Sequence, residues 1–440
     1  MLRKTQPLIL LWIASSLIAP AAWADTGRGT LLKFVIVSRH GVRSPLPKAD
    51  ELSRWSIDPW PVWPVKAGEQ TTRGTRLVTL EGRYYRELLD ADGAFASGKC
   101  PANSSVFVWA DTDQRTKATG RGLLDGIAPS CGLDAHWSPT EPDPLFRPLA
   151  AKRCPIDPEL ARAAILGRVG DDLDGIVNAD QGPLDALQSI MHCCKGNLCG
   201  TSKSCALPSL GTQIVLDDKS LRMKGTLGIA ATASEIFLLE YGQGFPASEV
   251  GWGRADEARI AETLRLHTLQ FDLIFRTPYL AARGGSALMQ HVLAALDDRV
   301  KSVAPAPSVA PRDATLIIFV GHDTNIANLG AMLGASWQLP GYPPNYTAPG
   351  GALIFELWRG RDGGLRVYSS YIAQTLGQLR AMTPLSLKSP PARSPLFIPA
   401  CSSAEADYPC KLDDFVRTAG ASIVPACISA PSGGSTAPAH

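Results

Sequence analysis

The sequence predicts an α/β fold in which a central sheet is flanked by helices and a smaller, mainly helical domain is inserted between the strands. Two patterns carry that expectation. In three places an apolar run of strand length is followed by a short polar loop and then a helical segment. Between the second and third of these, from about residue 157 to 276, apolar residues recur at helical spacing, with Ile260, Leu264, Phe271 and Ile274 on one face.

Taken in order, the first run is LLKFVIVS at residues 31–38, leading into Arg39-His40-Gly41-Val42-Arg43. The second, SVFVWA at 105–110, leads into Asp111-Thr112-Asp113-Gln114-Arg115, with helix formers continuing to Leu124. EIFLLE at 235–240 reads as helix within the insertion. The third run, TLIIFV at 315–320, leads into Gly321-His322-Asp323-Thr324-Asn325 and a helical stretch at 326–333. A further apolar strand at 352–358 follows Ala348-Pro349-Gly350-Gly351. Near-continuous apolar strands belong to a sheet covered on both faces. Ligands collect beyond the carboxyl ends of such strands, so the three polar loops should converge on one site.

The chain ends read differently. Residues 1–24 have the form of a secretory signal peptide, with Arg3 and Lys4 ahead of an apolar run and small residues at Ala22 and Ala24. Cleavage near Ala24 would place the mature protein in the periplasm or outside the cell. No later segment is long and apolar enough to span a membrane. Residues 302–312 form a Pro/Ala linker, and 429–440 read as a disordered tail. The expected domains are then 25–150 with 277–428, a discontinuous α/β unit, and 151–276, the helical insertion. A formal net charge of +2 gives no general attraction for nucleic acid or for a membrane surface. The expected partner is a small molecule bound by a monomer.

Ten cysteines behind a signal peptide suggest disulfides. Cys401 and Cys410 are the simplest pair to expect; spacing alone leaves the other pairings open. A zinc site built from His192, Cys193, Cys194, Cys199 and Cys205 is the rival reading, but the paired C-x-x-C knuckles are missing and export favours oxidation.

The chemistry lies in the three loops. A phosphomonoester carries up to two negative charges, and its transition state spreads charge over the equatorial oxygens. Arg39 and Arg43 offer planar donors that match those oxygens, and Arg115 adds a third guanidinium. His40 between them suits nucleophilic attack, because neighbouring cations keep its imidazole neutral in mild acid. His322 adds a donor, and Asp323 supplies an acid to protonate the departing alcohol. Arginines in this number supply the charge stabilisation a metal would otherwise give, so no metal or cofactor is expected. No Walker loop, G-x-S-x-G elbow or H-E-x-x-H competes. His267 shares the apolar face of its helix and reads as packing, His136 and His291 receive no role, and the Trp/Pro cluster at 55–64 reads as packing or a pocket wall.

Arg39-His40-Gly41-Val42-Arg43-Ser44-Pro45 and His322-Asp323-Thr324-Asn325, with Arg115 between them, resemble the signature motifs of the histidine acid phosphatases, in particular the bacterial periplasmic phytase and acid phosphatase type. The resemblance implies a histidine-phosphatase-like α/β domain with a smaller α domain and a covalent phosphohistidine. It implies His40 as nucleophile, Asp323 as proton donor, and Arg39, Arg43, Arg115 and His322 as phosphate ligands. It also implies disulfides Cys100–Cys131, Cys154–Cys427 and Cys401–Cys410, with the other four cysteines paired among themselves. The HDTN form is more similar to phytases than to glucose-1-phosphatases, which makes phytate the expected substrate and a sugar phosphate the alternative. Lys48, Glu235 and Arg283 match outer-pocket residues of the phytases, Lys48 and Arg283 only with a shift in register. A non-catalytic binder of phosphorylated ligands remains a third reading.

Overall fold

The computed structural model describes residues 27–192, 207–217, 221–300 and 310–428. The expectations for the signal peptide, for Cys193, Cys194, Cys199 and Cys205, for most of the 302–312 linker and for the tail fall outside those residues. In chain order the strands are β1 (Thr30–Arg39), β2 (Val106–Ala110), β3 (His136–Trp137), β4 (Thr212–Leu216), β5 (Leu221–Gly225), β6 (Leu316–Gly321), β7 (Ala352–Arg359), β8 (Leu365–Ala373), β9 (Ala392–Pro395) and β10 (Cys410–Lys411).

Eight of them make one mixed sheet of order β10-β8-β7-β1-β6-β2-β3, with β9 paired to β8. The three strands that carry the polar loops lie side by side and parallel, β1 beside β6 and β6 beside β2. β7 runs antiparallel to β1, and the tight turn from β7 into β8 makes that pair antiparallel too.

Both faces of this sheet are covered, as the unbroken apolar strands require. On β1, Phe34 and Ile36 point to one face and Val35 and Val37 to the other, all with 0% exposure. Helices Thr72–Ala91 and Gln114–Ile127 cover the first face with Tyr85, Leu88, Leu123 and Ile127. Helices Pro278–Leu296 and Asp323–Met332 cover the second with Leu288, Val292, Ile326 and Leu329. Each such side chain contributes about 1.5–3 kcal/mol by leaving water.

Among the described residues from 158 to 274 the regular elements are helices apart from the β4–β5 hairpin, which the helical reading of this stretch did not anticipate. Its signal is short: Leu221 and Met223 face in while Arg222 and Lys224 face out. Helix Thr226–Gln243 is apolar on nearly every side and buried on nearly every side, which carries Glu235 into the interior. The disulfides Cys100–Cys131, Cys154–Cys427 and Cys401–Cys410 are formed, the three pairs that the family resemblance implied. Among the described residues no helix is long and apolar enough to cross a membrane.

Candidate active site

Strand register brings the loops together. Arg39 pairs with Gly321 across β1 and β6, and Ala110 pairs with Val320 across β2 and β6, so all three loops leave the same end of the sheet. The antiparallel β7 starts at that end, opposite Ser38, and adds the loop before it. Backbone bonds lock this junction: His40 N–H donates to the Gly321 carbonyl and Gly350 N–H to the His40 carbonyl, both at 3.0 Å.

His40 is 2% exposed. Its Nδ1 lies 2.9 Å from the carbonyl oxygen of Gly41. A carbonyl only accepts, so Nδ1 carries the proton and Nε2 keeps its lone pair. Burial, and after it Arg115, Arg39 and Arg43, hold the imidazole pKa well below its ordinary value. Gly41 serves by its size: a Cβ there would meet Val78 Cγ1 at 2.9 Å and the Gly74 carbonyl at 3.0 Å. Its N–H instead reaches Thr119 Oγ1 at 2.9 Å and Gln70 Oε1 at 3.0 Å.

Arg39 is fully buried. Its guanidinium donates to the Thr347 carbonyl and to Glu235 Oε1, and stands 3.1 Å from Asp323 Oδ2. Burial opposes its charge, but Glu235 and Asp323 outweigh burial and raise its pKa. Arg43, 6% exposed, donates from Nη1 to the Ser44 carbonyl at 2.9 Å. Burial and its fellow arginines lower its pKa to about 10, which leaves it a cation in acid and neutral solution.

The family resemblance put a helix glutamate on the outer wall of the pocket. Here Glu235 lies beneath the site as the counterion of Arg39, 4% exposed, with Oε2 accepting from the Tyr346 hydroxyl at 2.5 Å. The reason is electrostatic: a guanidinium without solvent needs a paired anion. Burial would raise the Glu235 pKa, yet Arg39, His267 and Arg43 overcome it and keep the carboxylate ionised. Asp323 behaves alike. Burial raises its pKa, but Arg39, His267, Arg43 and His322 prevail and bring it to about 2. Asp323 is therefore an anion before substrate binds.

His322 sits at the start of helix Asp323–Met332, and its N–H donates to Asn325 Oδ1 at 2.9 Å. Asn325 in turn donates to the Phe146 carbonyl at 2.9 Å, so the last residue of HDTN positions the first. The His322 Nε2 meets Asp111 Oδ2 at 2.6 Å, and Arg115 Nη2 stands 3.5 Å from His322 Nδ1. Arg115 also pairs with Asp113. Asp111, Asp113 and His322 offer atoms within 4.8 Å of one another, close enough to hold an ion. Both carboxylates, however, already pair with Arg147, a residue no sequence motif singles out.

The structure thus gathers Arg39, His40, Arg43, Arg115, Glu235, His322 and Asp323 around one point, and leaves Lys48 and Arg283 without a contact to that group. Lys48 is exposed and flanks the short helix Ala49–Leu52. Arg283 lies over the Tyr279 ring, 3.7 Å from its centroid. His267 packs as read from its helix face, stacked on Phe271 at 4.4 Å, but its Nε2 is also 3.9 Å from Glu235 Oε2. Spacing along one helix carries no trace of that second contact, which depends on packing against helix Thr226–Gln243. Within the Trp/Pro cluster Trp60 packs inward, stacking on Phe237 and meeting Trp252 edge-on at 4.7 Å, while Val62 is exposed.

Comparison with known proteins agrees with this geometry. The chain is 37% identical over 407 residues to Phytase AppA of Escherichia coli strain K12, covering 90% of this chain and 93% of the relative. It is 30% identical over 422 residues to a glucose-1-phosphatase of Providencia rettgeri, covering 93% and 97% respectively. The structure of Hafnia alvei phytase in complex with myo-inositol hexakis sulphate matches with a TM-score of 0.84 at 37% identity, over 93% of this chain and 99% of that one. The histidine phosphatase superfamily, branch 2, matches residues 30–185 and 231–372, which include His40, Arg115, Glu235 and Asp323. With the sheet order, the buried histidine and its arginines already in place, the chain belongs to the histidine phosphatase superfamily, branch 2, and is a phosphatase.

Proposed function

We propose that this protein is an acid phosphomonoesterase of the phytase type, which passes a phosphoryl group from myo-inositol hexakisphosphate to His40 and then to water. The observation that carries the reading is the His40 tautomer: Nδ1 is fixed on the Gly41 carbonyl, so the Nε2 lone pair is available among guanidinium groups.

Arg43, Arg115, Arg39 and His322 take the oxygens of the bound phosphoryl group. His40 Nε2 attacks phosphorus, the bond from phosphorus to the ester oxygen breaks, and Asp323 gives its proton to the leaving alkoxide. Water then attacks the phosphohistidine, returning its proton to Asp323 and freeing His40 and inorganic phosphate. Asp323 starts as an anion, so it must gain its proton with the substrate; the added negative charge raises its pKa and solution acidity supplies the proton. His322 gains one too: Asp111 stabilises the imidazolium through Nε2, and Nδ1–H is then a donor to phosphate. This sequence requires acid solution and no metal, since guanidinium groups meet the developing charge.

Phytate is favoured by the phytase relative at 37% identity and by the Hafnia alvei enzyme, whose complex holds an inositol hexakis sulphate. The buried position of Glu235 and the exposed Lys48 favour a second reading, a sugar-phosphate phosphatase, consistent with the glucose-1-phosphatase relative. Specificity constants for phytate and glucose-1-phosphate across about pH 3 to 7 decide between them. A higher constant for phytate is expected; a much higher one for the sugar phosphate overturns the substrate assignment. His40→Ala should end turnover and keep phosphate binding. Turnover of p-nitrophenyl phosphate at the parent rate would remove His40 from its role. Three disulfides and the leader-like first 24 residues support an exported protein, and we take it to act in the periplasm or outside the cell as a monomer.

A further inference from the structure

Arg147 lies in the loop that follows β3, beyond the reach of any motif, yet it touches both acids behind the phosphate-facing groups. Its Nε donates to Asp111 Oδ2 at 2.7 Å, the same oxygen that meets His322 Nε2 at 2.6 Å. Its Nη2 pairs with Asp113 Oδ2, the same oxygen that Arg115 pairs with. Arg147 Nη2 also stands 3.5 Å from His322 Nε2. That nitrogen carries the proton shared with Asp111, so two donors face each other across a common carboxylate.

We propose that Arg147 is a positioning residue for phosphate recognition: it neutralises Asp111 and Asp113, which keeps Arg115 available to the substrate and holds the His322 ring with Nδ1 toward it. The proposal rests on the reading of Arg115 and His322 as phosphate ligands. Around the site, guanidinium groups at 39, 43, 115 and 147 face carboxylates at Asp111, Asp113, Glu235 and Asp323. Without Arg147 the carboxylates outnumber the guanidinium groups, and Asp113 is left with Arg115 in close contact and His322 Nε2 at 3.8 Å. A cation committed to a single acid is a poorer ligand for an incoming anion, and the surplus negative charge repels that anion as well. The planar fork matters because one guanidinium bridges two carboxylates; an ammonium is a point charge and matches that span less well. Arg147 keeps 27% of its side chain exposed, whereas Asp111 is fully buried, so the arginine closes the acid pair off from the rim.

The test measures inhibition by inorganic phosphate, with kcat and KM for p-nitrophenyl phosphate, in Arg147→Ala, Arg147→Ala/Asp113→Asn and Asp113→Asn. One uncompensated charge at this range should weaken phosphate binding on the order of tenfold in Arg147→Ala, with KM raised accordingly. Adding Asp113→Asn removes the surplus acid and should restore binding to within about threefold of the parent. Phosphate inhibition in Arg147→Ala within about twofold of the parent overturns the proposal, as does a loss that Asp113→Asn fails to rescue, which marks a merely structural arginine. Should Arg147→Ala not fold, Asp113→Asn alone decides: tighter phosphate binding than the parent supports the charge argument, and equal or weaker binding overturns it. Arg115→Ala separates the two levels. Phosphate binding lost there but kept in Arg147→Ala sinks this proposal alone, and binding indifferent to Arg115→Ala sinks the site reading with it.

Discussion

Replacing Glu81 by glutamine should abolish much of the stability loss that this protein undergoes between mild acid and mild alkali. Glu81 is 3% exposed on helix Thr72–Ala91, with Oε1 accepting from Gln374 Nε2 at 2.9 Å. Burial pushes its pKa from 4.5 to about 8, and the Gln374 bond only partly opposes the rise. The folded protein therefore holds a proton that the unfolded chain releases near pH 4.5. Its contribution is full below that pH, declines by about 1.4 kcal/mol per pH unit above it, and is lost as pH rises through about 8. From about pH 4.5 to 8 the loss comes to about 4 kcal/mol. Glu240, whose pKa burial also raises to about 8, adds a similar slope. Glutamine at 81 keeps an acceptor for Gln374 and cannot ionise. Urea unfolding at several pH values reads the difference directly: variant and parent should nearly coincide near about pH 4.5 and diverge in favour of the variant by about 4 kcal/mol near pH 8. A constant offset between the two curves would refute the reasoning. The consequence reaches the site, because the Glu81 carboxyl presses on Gly350, where a Cβ would lie 2.5 Å from Oε1, and Gly350 binds the His40 carbonyl.

Other substitutions probe the chemistry. In kcat/KM, which reads only the transfer to His40, Asp323→Asn should slow alkyl phosphates by about 10²–10⁴ and p-nitrophenyl phosphate far less, since only poor leaving groups need the proton; equal losses in kcat/KM would exclude that role. Glu235→Gln removes a like charge beside Asp323 and so lowers the Asp323 pKa further. A general acid loses activity as pH rises through its pKa, so the alkaline limb of the kcat profile should move to lower pH; movement to higher pH contradicts the charge arrangement. Activity toward phytate should survive excess EDTA, and its loss, restored by an added metal, would show that the guanidinium groups are insufficient.

What the sequence discloses here follows the range of the interactions. β1, β2, β6 and β7 were legible because each strand is apolar on both faces, and each polar loop follows directly on its strand. Their convergence needed only the rule about strand ends. The β4–β5 hairpin was hidden, since five-residue strands beside long helices give a period-2 signal for only a few positions. Arg39, His40, Arg43, His322 and Asp323 stand in contiguous motifs. Arg147 and the second contact of His267 do not: each joins residues from separate elements, and no local pattern records a charge balance set up across the sheet. Glu235 was found by its motif, but its place beneath Arg39 reflects the burial of helix Thr226–Gln243 on almost every side.

The most direct test of the central claim is to trap the covalent intermediate. Asp323→Asn enzyme mixed with p-nitrophenyl phosphate, quenched in alkaline denaturant to preserve a phosphorus–nitrogen bond, and mapped by peptide mass spectrometry should carry one phosphoryl group on the peptide containing His40, at Nε2 by phosphorus NMR. A burst of p-nitrophenol with no phosphorylated peptide, or a phosphoryl group on any other residue, would contradict the account.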